Sequence, residues 1–106
     1  MSYLPVIYKD FQKQYPKIAK TYDALAESCN KHGPLNKKSQ RLIKLGIAIG
    51  INSEGGVRSH ARQALEEGIK PDEIRHAVLM ATTTAGFPTM IAALKWVEEV
   101  IKKAKK

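Results

Sequence analysis

Residues 42–51 read Leu-Ile-Lys-Leu-Gly-Ile-Ala-Ile-Gly-Ile, with apolar side chains on almost every side of a helix. Such a helix has to be covered all round. In a chain of 106 residues this places it either at the centre of the fold or in a contact between subunits. Gly46 and Gly50 lie four residues apart, so they leave one strip of the helix without side chains and favour close contact with another helix. Asn36 is suited to cap the start of this helix.

The helical spacing continues on both sides of this stretch. Pro5 and Pro16 fit the first turns of two earlier helices, and Gly68 and the run from Lys70 to Glu73 fit the end of one later helix and the start of the next. Gly86-Phe87-Pro88 separates a last helix. There is no alternating β-branched run and no Asn-Gly hairpin turn. The sequence therefore predicts an all-α fold of about six helices.

Apolar residues at helical spacing predict which faces are buried. In the second helix the predicted stripe is Ile18, Tyr22, Leu25, Cys29 and His32, so Cys29 is predicted to be a core thiol. In the last two helices the predicted stripes are Ile74, Ala77, Val78, Ala81 and Ala85, followed by Met90, Ala93, Leu94, Val97, Val100 and Ile101. Leu79 and Met80 point away from these stripes, which is a further indication of oligomerisation.

Composition limits the function classes. With 43% apolar and 26% charged residues, the chain predicts a single domain over residues 1–106 with one modest core. The single cysteine, Cys29, excludes an internal disulfide, and no Cys/His grouping has zinc-ligand spacing, so we expect no metal and no cofactor. No apolar run approaches the roughly 20 residues of a membrane span. The N-terminus has no basic region followed by an apolar stretch, which predicts a cytoplasmic protein.

The formal net charge of +8 raises the possibility of a nucleic-acid partner. However, four of the cations are lysines within residues 102–106, and such a tail is typical of a solvated helix end. Aromatic side chains do not alternate with the basic ones in the way that base stacking requires. Nucleic-acid binding through the tail is therefore the least favoured function.

The junction between the third and fourth helices has the most chemical promise. The start of a helix presents unpaired backbone N–H groups that favour an anion, and Gly55 and Gly56 leave this end open to a ligand. His60 lies seven residues after Ser53, which places the two about 20° apart around the helix axis. His60 also lies beside the apolar stripe. A histidine there is either a general acid–base group or a structural hydrogen-bonding residue.

The runs from Gln40 to Gly50, from Ser59 to Gly68 and from Pro71 to Ile74, followed by Ala85-Gly86-Phe87-Pro88, resemble the carboxymuconolactone decarboxylase family. This family includes the alkylhydroperoxidase D-type proteins, and the resemblance covers about residues 35–95. It implies an alkylhydroperoxidase D-like helical fold that assembles into homo-trimers or homo-hexamers. It also implies an association with peroxide detoxification at the level of the family.

The sequence departs from the redox-active branch of that family at the site itself. Where that branch has a Cys-x-x-Cys pair, this chain has Ser53 and Gly56, and Gly55 replaces an additional histidine found in some members. The glutamate twelve residues before the first cysteine is replaced by Arg41. Only His60 is retained. Because a thiolate is the nucleophile in peroxide reduction, dithiol peroxidase chemistry is excluded at this place.

Two functions of different classes remain. The first is a cysteine-independent decarboxylase or lyase, with His60 as acid–base, Ser53 and Glu54 orienting it or the substrate, and helix-end N–H groups around Gly55 and Gly56 stabilising an enolate-like oxygen. In this interpretation Arg41 or Arg58 pairs with a carboxylate of a small substrate. The second is a non-catalytic oligomeric binding protein that holds a small anion or an apolar ligand in the former redox pocket.

Overall fold

The computed structural model describes residues 6–105, and over this range it is built from helices without a strand. The α-helices are α1 (Val6–Gln14), α2 (Pro16–Lys31), α3 (Lys37–Gly50), α4 (Glu54–Glu66), α5 (Pro71–Leu79) and α6 (Phe87–Ala104). A short 3₁₀ helix, Met80–Thr83, follows α5. The predicted all-α fold of six helices is confirmed. None of the helices between residues 6 and 105 has the length and apolarity needed to cross a membrane, and cytoplasmic location remains a prediction.

Short-range signals determine where the helices begin. The Asn36 side chain accepts a hydrogen bond from the Ser39 N–H (2.8 Å), which confirms the predicted cap of α3. Pro16 opens α2 and Pro71 opens α5, both as predicted. At the start of α5, the Glu73 carboxylate accepts a hydrogen bond from the Lys70 N–H (3.1 Å).

The chain divides into two compact units between Pro34 and Leu35. In the first unit α1 packs on α2, and the rings of Phe11 and Tyr15 lie 5.4 Å apart. Among residues 6–34 the buried apolar residue is Ala19, whereas Cys29 is exposed. The prediction of a core thiol is therefore wrong, because helical spacing marks a face suited to burial but does not supply the surface that covers it. That residues 1–106 form one domain remains a prediction.

In the second unit α3 to α6 surround one apolar core, and α3 contributes Leu45, Ala48 and Ile49. The other helices and turns contribute Val57, Ala61, Ala64, Ile69, Ile74, Val78, Ala81, Met90, Ala93, Val97 and Ile101. The stripes predicted for α5 and α6 are largely confirmed. Ala85 is the exception, since it is exposed. The α-helical spacing that placed Ala85 on the stripe ends at Leu79, where a 3₁₀ helix with fewer residues per turn begins.

The opposite side of α3 is not covered within the chain. Ile43, Ile47 and Ile51 are exposed, Ile47 to 59%. A Cβ placed on Gly46 or Gly50 would meet no atom within 4 Å. The sequence predicted that α3 is covered on all sides, but within the chain only one side of it is buried. A subunit contact at the exposed strip remains a prediction.

Ion pairs join neighbouring helices of the second unit at its surface. They are Lys38–Glu73 between α3 and α5, Arg58–Glu99 between α4 and α6, Arg75–Glu98 between α5 and α6, and Arg41–Glu67 between α3 and the end of α4. The exposed pairs among them contribute about 0–1 kcal/mol each. These ion pairs therefore help to orient the helices relative to one another, whereas the apolar core supplies most of the stability.

α3 and α4 lie close together at Gly56. The Ser53 hydroxyl accepts a hydrogen bond from the Gly56 N–H (3.1 Å) and caps α4. A Cβ on Gly56 would lie 2.9 Å from the Ser53 Oγ and 3.2 Å from the Ala48 Cβ. Only glycine permits this approach of the two helices together with the cap.

We expect Gly56→Ala to destabilise the protein by about 1–3 kcal/mol, because the added methyl group overlaps the cap and the α3 surface. The matched control is Gly55→Ala, where a Cβ meets no atom within 4 Å; there we expect a stabilisation of up to about 1 kcal/mol. Urea unfolding of both variants measures the difference. If Gly56→Ala were as stable as Gly55→Ala, the close approach would not constrain the fold.

Candidate functional site

The structure brings together two of the residues that the sequence singles out, Arg41 on α3 and His60 on α4. The Nη1 of Arg41 lies 2.8 Å from the Nδ1 of His60. The Arg41 side chain is only 15% exposed, and His60 is half-buried at the edge of the core. The guanidinium and the imidazole therefore form one partly shielded cluster between the two helices.

Glu67, immediately after α4, holds the other edge of the Arg41 guanidinium. Arg41 donates from Nε to the Oε1 of Glu67 (3.1 Å) and from Nη2 to Oε2 (2.8 Å). This two-point geometry is the strongest form of an arginine–carboxylate pair. The two hydrogen bonds lower the pKa of Glu67 from its ordinary value, against a smaller opposing effect of burial. The carboxylate is therefore ionised at neutral pH.

The contact with Arg41 determines the protonation of His60. A guanidinium has only donors, so Nδ1 of the imidazole has to accept the hydrogen bond. The ring is then neutral with its proton on Nε2. The electrostatics agree, because burial first, and then the positive charges of Arg41 and Lys44, lower the pKa of His60, while Glu67 opposes them.

Ser53, Gly55 and Gly56 lie at the other end of the same helix. The Ser53 hydroxyl accepts a hydrogen bond from the Gly56 N–H. Ser53 and Ala48 fill the space beside Gly56. Gly55 faces open space. Seven helical residues separate Ser53 from His60, a rise of roughly 10 Å along the axis. The structure thus aligns the helix start with His60 but does not bring the two into contact, and a role for the helix start in binding remains a prediction.

Glu54 and Arg58 belong to a different surface cluster. The Arg58 side chain donates to Glu54 (3.0 Å) and to Glu99 on α6 (2.7 Å), and these carboxylates raise the pKa of Arg58, with Glu99 as the largest cause. A role of Glu54 in orienting His60, or of Arg58 in binding a carboxylate, remains a prediction. The geometry favours Arg41 over Arg58 as the cation of the site, because only Arg41 contacts His60.

Sequence reasoning missed Glu67. One signal was present: Glu67 lies seven residues after His60, two helical turns on, and therefore on the same side of α4 as the histidine. The partner on α3, Arg41, is 26 residues away in the chain. Helical spacing alone does not reveal such a pairing.

Among residues 6–105, no group of three or more His, Cys, Asp or Glu side chains is placed to hold a metal ion. The described part of the site consists instead of one guanidinium, one carboxylate and one imidazole. These groups are suited to binding an anion and to moving or donating a proton.

We expect His60 to titrate below 6.5 in the folded protein, because burial and two nearby cations disfavour the imidazolium. As the pH falls below 6.5, the unfolded chain takes up this proton before the native state does, so His60 reduces stability progressively down to its native pKa. NMR titration of the imidazole measures the midpoint, with the urea-unfolded chain as control. A native midpoint at or above 6.5 would contradict the contact with Arg41.

The comparisons with known proteins agree with this architecture. The family model described as "Carboxymuconolactone decarboxylase family" matches residues 16–99. A 4-carboxymuconolactone decarboxylase of Acinetobacter baylyi is 26% identical over 93 residues, which cover 88% of this chain and 68% of that protein. A nitrosuccinic acid decarboxylase of Metarhizium robertsii is 37% identical over 60 residues, covering 57% of this chain and 42% of that protein.

An uncharacterised protein of Haemophilus influenzae is 30% identical over 63 residues, covering 59% of this chain and 56% of that protein. The chain therefore spans about two thirds of the first of these relatives and about half or less of the other two. The family match extends further toward the N-terminus than the predicted core of residues 35–95, since it includes all of α2. On the match over residues 16–99, the chain belongs to the carboxymuconolactone decarboxylase family.

Proposed function

We propose that the protein is a cysteine-independent decarboxylase that acts on a small carboxylated substrate, with His60 as the catalytic hydrogen-bond donor and proton carrier. The observation that carries this proposal is the contact of Arg41 with Nδ1 of His60, which leaves Nε2–H as the reactive side of a neutral ring. Family membership supports the proposal, as does the occurrence of Ser53 and Gly56 where the redox branch has sulfur.

Decarboxylation breaks the bond between a carboxylate carbon and its neighbour, and CO₂ leaves. The electron pair that remains is accommodated on an adjacent oxygen, whose negative charge develops in the transition state. A donor aimed at that oxygen accelerates the step, because it binds the transition state more tightly than the ground state. Nε2–H of His60 is suited to this task, and the carbon that lost CO₂ can then take up a proton through Nε2, which regains one from water.

Arg41 is suited to hold a carboxylate of the substrate while His60 acts. Its hydrogen bonds to Glu67 and His60 use three of the five N–H groups of a guanidinium. The remaining two are the donors that we assign to a substrate oxygen. Because Glu67 balances the charge of Arg41, and Lys44 adds positive charge near His60, the site as a whole favours an anion.

The printed names of two relatives suggest which substrates to test. The Acinetobacter protein is named for 4-carboxymuconolactone and the Metarhizium protein for nitrosuccinic acid. Both compounds combine a carboxylate with a second group, a lactone or a nitro group, whose oxygen can accept an electron pair. We propose this combination as the substrate class.

We expect CO₂ release from such a substrate to fall by about 10²–10⁴-fold in His60→Ala, because the variant lacks the donor to the developing oxyanion. CO₂ evolution under steady-state conditions, with 4-carboxymuconolactone and nitrosuccinate as the first substrates, measures this change. Cys29→Ser is expected to keep the full rate, and His76→Ala, which changes an exposed histidine of α5, provides a matched control.

Three outcomes would contradict the proposal. Equal rates in the wild type and His60→Ala would remove His60 from the mechanism. Binding of these acids without turnover, seen as a ligand-dependent increase in thermal stability, would instead favour the non-catalytic binding protein. Loss of activity in Cys29→Ser would show that sulfur takes part after all.

We also propose that the protein assembles with copies of itself, as a homo-trimer or homo-hexamer, through the uncovered strip of α3. Its isoleucines at positions 43, 47 and 51 lie beside Gly46 and Gly50, so the strip is both apolar and free of obstructing side chains. Leu79, Met80, Phe87 and Ile91 are further exposed apolar residues. A group of exposed apolar side chains such as this one is typical of an interface between proteins.

We expect Ile47→Lys to dissociate the oligomer, because it places a charge in the middle of the strip. Sedimentation equilibrium of the wild type and the variant measures the mass. Lys20→Glu, an exposed charge change on α2, serves as the control and is expected to leave the mass unchanged. A monomeric wild type at all concentrations tested would refute assembly.

A further inference from the structure

We propose that Glu67 is a positioning residue, which holds the Arg41 guanidinium against His60 and thereby keeps the imidazole neutral with its proton on Nε2. The inference rests on the proposed function for its catalytic consequence, but its structural content concerns the ligand-free protein. It assigns a role to a carboxylate that does not contact the ring itself.

Glu67 holds Arg41 in place. A long arginine side chain loses rotamer freedom when it is fixed, and a single hydrogen bond to an imidazole nitrogen offsets little of that loss. The two parallel bonds to Glu67 fix both the position and the plane of the guanidinium. Nη1 is then directed at Nδ1 of His60 as a consequence of that plane.

The end of α4 holds Glu67 in place. It is the C-cap residue of α4, and its N–H donates to the Gln63 carbonyl (2.9 Å). Gly68 follows with φ +87°, a left-handed conformation that glycine adopts without strain. The chain then closes the helix end, with the Ile69 N–H on the Ala64 carbonyl (3.0 Å) and the Ile69 side chain buried in the core. The backbone of Glu67 is therefore fixed by the helix end.

Glu67 affects the pKa of His60 in two opposite ways. Its own negative charge favours the imidazolium and raises the pKa of His60. By holding Arg41 it does the reverse, because the guanidinium places a positive charge against the ring. The charge of Arg41 has a larger effect on the pKa of His60 than that of Glu67. If Glu67 acts only through its own charge, its loss lowers the pKa of His60. If Glu67 acts by holding Arg41, its loss raises the pKa of His60.

The experiment follows the pKa and the tautomer of His60 by ¹H–¹⁵N NMR in the ligand-free wild type and in Glu67→Gln. An amide has a single acceptor oxygen, so it does not reproduce the two parallel hydrogen bonds that Arg41 makes to separate oxygens of Glu67. We expect the pKa of His60 to rise toward 6.5 and the nitrogen shifts to report a mixture of tautomers. The matched control is Glu66→Gln, which neutralises the adjacent exposed carboxylate, and there we expect no change.

A decrease in the pKa of His60 in Glu67→Gln would overturn the proposal, because Glu67 would then act only as a nearby charge. An unchanged pKa with an unchanged tautomer would overturn it as well. Glu67→Ala, measured in the same way, is the second variant, and should Glu67→Gln fail to fold, the sign in Glu67→Ala decides. Far-UV circular dichroism verifies that each variant is helical before it is titrated.

The result separates this inference from the proposed function. If the pKa rises as expected but no carboxylated substrate is turned over, the positioning role stands and decarboxylation falls. With a substrate that is turned over, we expect Glu67→Gln to lower kcat by about 10²-fold, since Arg41 and Nε2 are both displaced. The acid limb of the pH–rate profile is expected to move to higher pH together with the pKa of His60.

Discussion

The close approach of α3 to α4 at Gly56 determines the geometry of the site. With Gly56 against Ala48, the two helices run in opposite directions from the turn that joins them. Arg41 lies seven residues before Ala48 on α3. The position seven residues after Gly56 on α4 lies between His60 and Glu67. The contact at Gly56 thus fits a register of α3 against α4 in which the Arg41 guanidinium lies between His60 and Glu67. These groups are about two helical turns from Gly56.

That arrangement converts a histidine with an ordinary sequence environment into a neutral hydrogen-bond donor. The sequence departs from the redox-active branch of the family that it resembles, in which the corresponding positions hold a glutamate and two thiols. Here Arg41, Ser53 and Gly56 replace them, so the site has no sulfur to oxidise and carries an added positive charge. The negative charge that balances it comes from the end of α4, at Glu67. The chemistry that fits these groups moves protons and holds anions, and it differs in kind from dithiol chemistry.

Local signals predicted most of the fold because helix boundaries depend on interactions over three or four residues. The Asn36 cap, the prolines at positions 16 and 71, and Gly68 all act within one turn of their own position. Burial was predicted less well. The stripe through Cys29 and the outer side of α3 have the right spacing for a core, yet both are exposed in the chain, because periodicity describes a face and not its partner.

The sequence by itself determined the class of fold, the starts of helices such as α2, α3 and α5, and two of the three residues in the cluster, Arg41 and His60. Only the tertiary structure decided that these two meet, that Glu67 joins them, and that Glu54 and Arg58 belong to another surface. The physical reason is the distance along the chain. Helix caps act over about four residues, whereas Arg41 contacts partners 19 and 26 residues away. Those contacts depend on how two helices pack, and that packing is a property of the folded chain.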